Sequence, residues 1–172
     1  MQNVNCEFTL APMSDRFVEI ILDAVGKVDV SGLSAKTGRM STVYSGELGR
    51  VAGALYQCFA AARRPGVHMT MQAVFTGEKS PLEETVPASM ENGENCLCDL
   101  EIYRPEGAGL DFPDDVELEV RPTAYGAQIE GRTDHVFATL VQTVSTAARQ
   151  GEFVVSAAFS VNSPTPKEGS RA

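Results

Sequence analysis

Two adjacent hydroxyl side chains, Ser41 and Thr42, are the best candidates for chemistry in this sequence, within the stretch KTGRMSTVYSG. The stretch reads as a turn followed by a strand, and neighbouring residues on a strand point to opposite faces. One hydroxyl can therefore face a pocket while the other packs or meets solvent. A hydroxyl both donates and accepts hydrogen bonds, which suits recognition of a small polar ring. The alternative is that Ser and Thr simply tolerate strand positions.

Three apolar side chains, Met13, Phe17 and Tyr44, are candidates for the flat walls of the same pocket. Small-molecule sites are mostly apolar with a few placed polar groups, so this mixture fits a ring-shaped ligand. The pocket forms only if the first strand, CEFTLAPMSD, lies beside the hydroxyl strand. The alternative is that all three are ordinary core residues.

The sequence carries no pattern typical of catalysis or metal binding. A Ser or Cys nucleophile usually needs a His within hydrogen-bond reach, but His68 has no acidic residue nearby and His135 lies in an exposed-looking helical turn. The motifs of hydrolases, metalloproteases, P-loop proteins and dehydrogenases do not occur. We therefore expect no catalytic residue, no metal and no cofactor. The cysteines are predicted to be buried thiols of a reducing cytoplasm: Cys6, Cys58, Cys96 and Cys98.

The composition of the chain limits the classes of partner that it can bind. The chain has 172 residues, 22% of them charged, and a formal charge of −9. This acidity argues against nucleic acid, because phosphate binding needs clustered Lys and Arg. No apolar run reaches the length of a membrane span, and the N-terminus lacks the basic and apolar regions of a signal peptide. We therefore expect a cytoplasmic protein.

The first half of the chain has the element order of a ferredoxin-like βαββαβ unit. Alternation predicts a strand over 5–12, and an apolar stripe predicts a helix from Phe17 to Val28 with Ser14 and Asp15 as candidate N-caps. The rest of the unit is predicted as strands over 33–37 and 41–45 around a Gly38 turn, a helix that starts at Leu48 and has Arg63 and Arg64 in its last turn, and a strand over 67–76.

The same scaffold then repeats. Aligning Gly46 with Gly131 gives an offset of 85 residues that holds without a gap through the next helix and strand, so that Ala73 matches Ala158. The fold class is thus predicted as α+β, with tandem ferredoxin-like repeats and antiparallel sheets, the second repeat lacking or shortening its first helix. The predicted bounds are 1–78 for repeat 1, 79–95 for a linker, 96–165 for a degenerate repeat 2, and 166–172 for a flexible tail.

Two stretches, CEFTLAPMSDRFVEIILDAV and KTGRMSTVYSGELGRV, resemble the first repeat of the YkoF family. Family members bind thiamine and its hydroxymethylpyrimidine moiety. The family pattern is a strand of the type C-x-F-[ST]-L-x-P-M-[ST]-D, followed by an S-T-x-x-x-G strand before the second helix. The final strand, ending in VNSP, is also similar, so the resemblance covers nearly the whole chain.

The resemblance implies a non-enzymatic small-molecule carrier or sensor that associates into dimers. The family's first-repeat residues map onto Cys6, Phe8, Met13, Ser14, Asp15, Phe17, Ser41 and Thr42. In this role Asp15 would accept a hydrogen bond from the ligand's amine or neutralise its thiazolium, with helix capping as the alternative. Repeat 2 departs from the pattern, because Gly126 and Ala127 replace the two hydroxyl residues. Thr123, Tyr125 and Gln128 would line at most a weaker second site.

Two other functions remain open. The first is a structural or regulatory ferredoxin-like module that binds another protein and no small ligand; side chains filling the space between Phe17 and Thr42 would favour it. The second is a small cofactor-free isomerase or monooxygenase, which would need His68 beside a pocket.

Overall fold

The computed structural model describes residues 3–82, 94–103 and 117–165. Eight strands form one antiparallel sheet in the order β2-β3-β1-β4-β8-β5-β7-β6. Within the described residues, three helices accompany the strands. The elements in chain order are β1 (Val4–Pro12), α1 (Phe17–Gly26), β2 (Ser34–Thr37), β3 (Thr42–Gly46), α2 (Leu48–Ala62), β4 (Met69–Gly77), β5 (Asn95–Tyr103), β6 (Leu118–Pro122), β7 (Gly126–Arg132), α3 (Thr133–Gln150) and β8 (Phe153–Val161).

The helices pack on one face of the sheet, and the strands alternate accordingly between buried and more exposed residues. The core lies between this face and the helices. Its largest fully buried side chains come from both halves of the chain and include Tyr44, Phe59, Phe75, Phe137 and Phe159. We call the other face, on which no element of the described residues packs, the open face.

The two halves of the chain join through β4 and β8. All nine residues of β4 pair with β8, from Met69 opposite Val161 to Gly77 opposite Phe153. The segment after β4 also crosses to the second half, where Ser145 Oγ donates to the Leu82 carbonyl at 3.0 Å. The prediction of an α+β fold with tandem ferredoxin-like units is confirmed; the two units share one continuous sheet.

The predicted repeat alignment is wrong in the last strand. The β1–β4 register places Phe8 opposite Ala73, and the corresponding β5–β8 register places Leu100 opposite Ala157. Ala157 is fully buried, as Ala73 is. Ala73 therefore corresponds to Ala157 rather than to Ala158, which lies on the open face. Helix α3 is longer than α2 and its connection to the next strand is shorter, so the alignment slips by one residue.

Two predictions about helix ends are also wrong. Helix α2 ends at Ala62, so Arg63 and Arg64 lie just beyond its last turn. Arg64 Nη1 nevertheless donates to the carbonyl of Ala61 at 2.6 Å, which satisfies one open helix carbonyl. At the start of α1 the N-cap is Arg16, without a side-chain capping bond; Ser14 Oγ instead accepts from the Arg16 amide at 3.2 Å.

Three predicted features lie outside the described residues: most of the linker, the tail, and the place where repeat 2 would shorten its first helix. These features and the repeat bounds stay predictions. Below, repeat 1 means β1–β4 with α1 and α2, and repeat 2 means β5–β8 with α3.

Candidate functional site

The two candidate hydroxyls point to opposite faces of the sheet, as strand geometry predicts. Ser41 lies on the open face, where its Oγ donates to Glu7 Oε1 at 2.5 Å. Thr42 lies on the helix-covered face and is only 6% exposed. Its Oγ1 is 3.2 Å from Thr37 Oγ1 on the neighbouring strand. Only Thr42 can therefore belong to a pocket beneath the helices.

Four of the predicted site residues meet on the helix-covered face and form what we call the buried corner: Cys6, Phe8, Thr42 and Tyr44. The β1–β3 register places Phe8 opposite Thr42 and Cys6 opposite Tyr44. The rings of Phe8 and Tyr44 are tilted against each other with centroids 5.0 Å apart. Their burial follows from period-two alternation, because all four point to the face that α1 and α2 cover.

Among the described residues, the Tyr44 hydroxyl has no hydrogen-bond partner, although Tyr44 is only 1% exposed. Burial raises the pKa of this phenol to about 12, with smaller effects from Cys58 and Cys6. The hydroxyl therefore stays protonated and able to donate. A buried polar group without a partner costs roughly 1–3 kcal/mol, so it marks a place where an incoming polar atom would bind favourably.

The other predicted site residues lie on the surface at the end of the sheet where β1 ends and β3 begins. Met13 and Phe17 are 62% and 51% exposed, and Met40 in the β2–β3 turn is 87% exposed. Ser14 is partly exposed and Asp15 is exposed. We call this group the rim. The described structure thus divides the predicted residues among the buried corner, the rim and, for Ser41, the open face.

Sequence reasoning missed two residues that contact the predicted hydroxyls. Thr37 faces Thr42 across the β2–β3 hairpin, and the predicted turn at Gly38 is the sequence signal for this pairing, because residues on either side of a hairpin turn lie opposite each other. Glu7 faces Ser41 across β1 and β3. The alternation of β1 places Glu7 on the face opposite Cys6 and Phe8, but no sequence signal specifies which hydroxyl it meets.

Repeat 2 has no counterpart of the hydroxyl pair. The β5–β7 register places Leu100 opposite Ala127 and Cys98 opposite Ile129, so apolar residues occupy the positions of Thr42 and Tyr44. At the position of Ser41, a Cβ on Gly126 would lie 1.9 Å from the Leu100 carbonyl oxygen. Close packing therefore requires glycine where repeat 1 has a serine.

His68 lies beside a cavity of about 440 Å³ on the open face. Its Nε2 is 3.1 Å from the hydroxyl of Ser160, which lines the cavity together with Arg121, Gln128 and Glu130. The other ring nitrogen, Nδ1, is 3.2 Å from the Met13 sulfur. A catalytic histidine usually holds its second nitrogen against a carboxylate that orients the ring, and a thioether does not fill that role. The His–Ser pair thus lacks the third member of a nucleophilic triad.

The cysteines are free and buried. Burial raises the pKa of the Cys58 thiol to about 12 and that of Cys96 to about 11. It also raises the pKa values of Cys6 and Cys98. Because the thiolate is the reactive form, these thiols are chemically inert. Within the described ranges, no three His, Cys, Asp or Glu side chains lie close enough to hold a metal ion.

Comparisons with known proteins agree with the fold. The YKOF-related family matches residues 3–81 and 108–166. A Bacillus subtilis (strain 168) protein named "Putative HMP/thiamine-binding protein YkoF" is 26% identical over 184 aligned positions, which cover 93% of this chain and 90% of that protein. None of the helices in the described residues is long and apolar enough to cross a membrane. Since the family match spans most of the sequence in two blocks, the chain belongs to the YKOF-related family.

Proposed function

We propose that this protein binds thiamine or its hydroxymethylpyrimidine moiety in repeat 1, without catalysing a reaction. The observation that carries the proposal is the Tyr44 hydroxyl in the buried corner, which finds no hydrogen-bond partner within residues 3–82, 94–103 and 117–165 and lies on the same strand face as Thr42. The name of the Bacillus subtilis relative supplies the ligand class. The role would be salvage or transport of the vitamin, or its delivery to a partner.

The chemistry of the corner suits an aminopyrimidine. Such a ring presents two nitrogen acceptors and an exocyclic amine, so it needs donors and acceptors in one plane. The hydroxyls of Thr42 and Tyr44 provide both functions and rotate to suit. The ring of Phe8 offers an apolar surface beside them.

Helix α1 is the natural entrance. Of its ten residues only Ile20 and Ala24 are buried, so moving its first turn would disturb little of the core. The rim residues Met13 and Phe17 would then pack against the ligand. Asp15 would lie near a cationic thiazolium, and Phe17 would gain a cation–π contact with it. Lys36 and Arg39 are the few basic residues near the site, which favours an unphosphorylated ligand.

The proposal includes the compartment, the oligomeric state and the partners of the protein. Four free buried thiols fit a reducing cytoplasm. We expect a homodimer with one competent pocket per chain, because repeat 2 lacks the hydroxyls. We also expect no nucleic-acid partner, since the formal charge is −9.

Isothermal titration with thiamine and with hydroxymethylpyrimidine tests the proposal. Thr42→Val removes one hydroxyl at nearly constant shape and should weaken binding by roughly 1–3 kcal/mol if that hydroxyl is a buried partner. Thr42→Ser keeps the hydroxyl and is the matched control, which should bind nearly as well as the parent chain. Absence of heat with either ligand at millimolar concentration would rule the proposal out.

A protein-interaction module is the second candidate, favoured by the outer side of α1. Val18 and Leu22, one helical turn apart, are 54% and 68% exposed, and apolar side chains at this spacing suit a partner's groove. Phe17, at the start of the same helix, is itself 51% exposed. The two candidates differ in the titration, because an interaction module would give no heat with either small ligand.

A further inference from the structure

Two threonine hydroxyls share a hydrogen bond at the edge of the buried corner. Thr37 Oγ1 and Thr42 Oγ1 are 3.2 Å apart, and the two residues lie opposite each other on β2 and β3. The Gly38 amide donates to the Ser41 carbonyl at 2.8 Å and closes the turn between these strands. The position of Thr37 relative to Thr42 is therefore set by the backbone of this hairpin.

The two hydroxyls differ in their access to water. Thr42 is only 6% exposed, whereas Thr37 is an exposed residue of the edge strand β2. A hydroxyl has one proton to donate and lone pairs that accept. Because water can complete the hydrogen bonds of Thr37 in either direction, Thr37 can donate to Thr42 or accept from it. The direction of the bond between them is thus reversible.

Tyr44, two residues further along β3 on the same face, has no such freedom. Its hydroxyl is buried and finds no acceptor among the described residues. A buried donor that stays unpaired is costly, so a ligand that reaches this hydroxyl binds best when it accepts from it. The buried corner therefore combines a fixed donor, Tyr44, with an adjustable hydroxyl, Thr42.

We infer that Thr37 makes the proposed site selective for an aminopyrimidine over the corresponding oxopyrimidine, because it accepts the hydrogen bond of Thr42. The inference rests on the proposed function and adds a residue to that site. In an aminopyrimidine, a ring nitrogen that accepts lies next to an exocyclic amine that donates. When Tyr44 donates to the ring nitrogen, the amine needs an acceptor. Thr42 becomes that acceptor when its own proton is directed to Thr37, which acts as a positioning residue.

An oxopyrimidine reverses the order of donor and acceptor. A carbonyl that accepts replaces the amine, and the neighbouring ring nitrogen carries a hydrogen. In the same position, this N–H would meet Tyr44, whose own proton would be left without an acceptor, and the carbonyl would meet the lone pairs of Thr42. A site with fixed polar groups rejects a ligand that leaves them unpaired. Without the Thr37 hydroxyl, Thr42 would instead direct its proton to the ligand and favour the carbonyl.

Titration calorimetry with thiamine and with oxythiamine, its analogue with a carbonyl in place of the amine, tests this role. The ratio of the two dissociation constants should favour thiamine by about tenfold or more in the parent chain. Thr37→Val should weaken thiamine binding by roughly five- to tenfold and lower this ratio. Thr37→Ser keeps the hydroxyl and should keep the ratio. General damage to the fold weakens both ligands alike, so the ratio separates selectivity from stability.

A double-mutant cycle shows whether Thr37 acts through Thr42. In a Thr42→Val background, Thr37→Val should leave the ratio unchanged, because the hydroxyl that Thr37 orients is already absent. Thr37→Ala is a second variant in case Thr37→Val folds poorly, as judged by circular dichroism. It deletes the same hydroxyl and should lower the ratio in the same way.

The outcomes separate this inference from the proposed function. Absence of heat with either ligand in the parent chain would overturn both. A parent chain that binds thiamine, with folded Thr37→Val or Thr37→Ala variants that keep its ratio, would overturn the role of Thr37 and leave the proposed function standing. A Thr37→Ser variant with the ratio of Thr37→Val would also overturn the role, because the hydroxyl would then not be the cause.

Discussion

The Tyr44 hydroxyl affects both the stability of the protein and the proposed binding of ligand. Without ligand the hydroxyl is buried with no partner in the part of the chain that the structure describes, which lowers the free energy of unfolding. In the proposed complex the same hydroxyl donates to the ligand. Sites that work this way trade stability for binding, so removing the hydroxyl should separate the two effects.

We expect Tyr44→Phe to raise the free energy of unfolding by about 1 kcal/mol, because the change deletes an unsatisfied polar group and keeps the ring. Urea denaturation of the ligand-free protein measures this. The same variant should bind thiamine or hydroxymethylpyrimidine more weakly in titration calorimetry. Tyr125→Phe is the control, since Tyr125 is 64% exposed and should change neither quantity. Loss of stability in Tyr44→Phe would show that the hydroxyl is bonded in the ligand-free protein.

At the residue scale, sequence could predict which side chains alternate but not which ones meet. The opposite orientation of Ser41 and Thr42 follows from strand geometry alone. The pairings of Thr42 with Thr37 and of Ser41 with Glu7 depend on strand registers. Register is set by the whole sheet, and a single-residue shift would exchange the two faces. The sequence thus predicts which residues of the buried corner share a face, whereas the contacts between them depend on the fold.

Arg63 shows how one side chain can hold two elements from different repeats. It follows the last residue of α2 and is 14% exposed. Its guanidinium donates to the carbonyls of Glu94 and Asn95, to the Glu94 carboxylate at 2.7 Å and to Thr133 Oγ1 at 3.1 Å. These groups lie at or next to the first residues of β5 and α3. The hydrogen bonds of Arg63 therefore connect repeat 1 with repeat 2.

Arg63→Met should lower the free energy of unfolding by roughly 2–3 kcal/mol, because it keeps much of the apolar stem and leaves several acceptors without their charged donor. Arg50→Met is the control. The Arg50 side chain is 59% exposed, and its Nε lies 3.6 Å from a carboxylate oxygen of Glu47. Replacing Arg50 should therefore change the free energy of unfolding by about 0.5 kcal/mol or less. Urea denaturation compares the two variants. Equal midpoints would show that the Arg63 contacts contribute no more than a surface ion pair.

At the element scale, the periodic segments were predicted well and their junctions were not. Helix α2 begins at the predicted Leu48, and strand β1 covers all of the predicted residues 5–12, because their apolar spacing is unambiguous. The gapless sequence alignment does not reveal the one-residue shift before β8, because β4 and β8 both alternate between apolar and polar residues and can be matched in either register. The sequence indicated only that Arg63 lies near the end of α2, because a long-range contact with Glu94 or Thr133 leaves no mark in local spacing.

At the scale of the whole molecule, the seam between β4 and β8 has two-fold symmetry. Ala73 corresponds to Ala157 in the other repeat, and the two residues are also paired with each other. Met71 opposite Phe159 therefore matches Phe75 opposite Val155 in reverse. The sequence predicted two antiparallel units but not their common sheet, because pairing between strands is carried by backbone groups that every sequence possesses.

This symmetry makes repeat 1 able to pair with itself. A fragment of residues 1–81 would end with β4 as an uncovered edge strand, and such an edge is a template for pairing with another chain. Two fragments can align β4 against β4 with Ala73 opposite Ala73 and Met71 opposite Phe75, which repeats the side-chain sizes of the native seam. We therefore expect the fragment to be a dimer by light scattering.

Val74→Pro tests whether the edge of β4 forms this fragment dimer. Proline removes a strand amide and is poorly tolerated within a paired strand. In β4 the change should abolish the fragment dimer or prevent the fragment from folding, and circular dichroism distinguishes these results. The matched change Val43→Pro lies in β3, away from the seam, so a folded Val43→Pro fragment should remain dimeric. A folded, monomeric parent fragment would mean that repeat 1 is stable with its β4 edge unpaired, and pairing with β8 would then be dispensable for the folding of repeat 1.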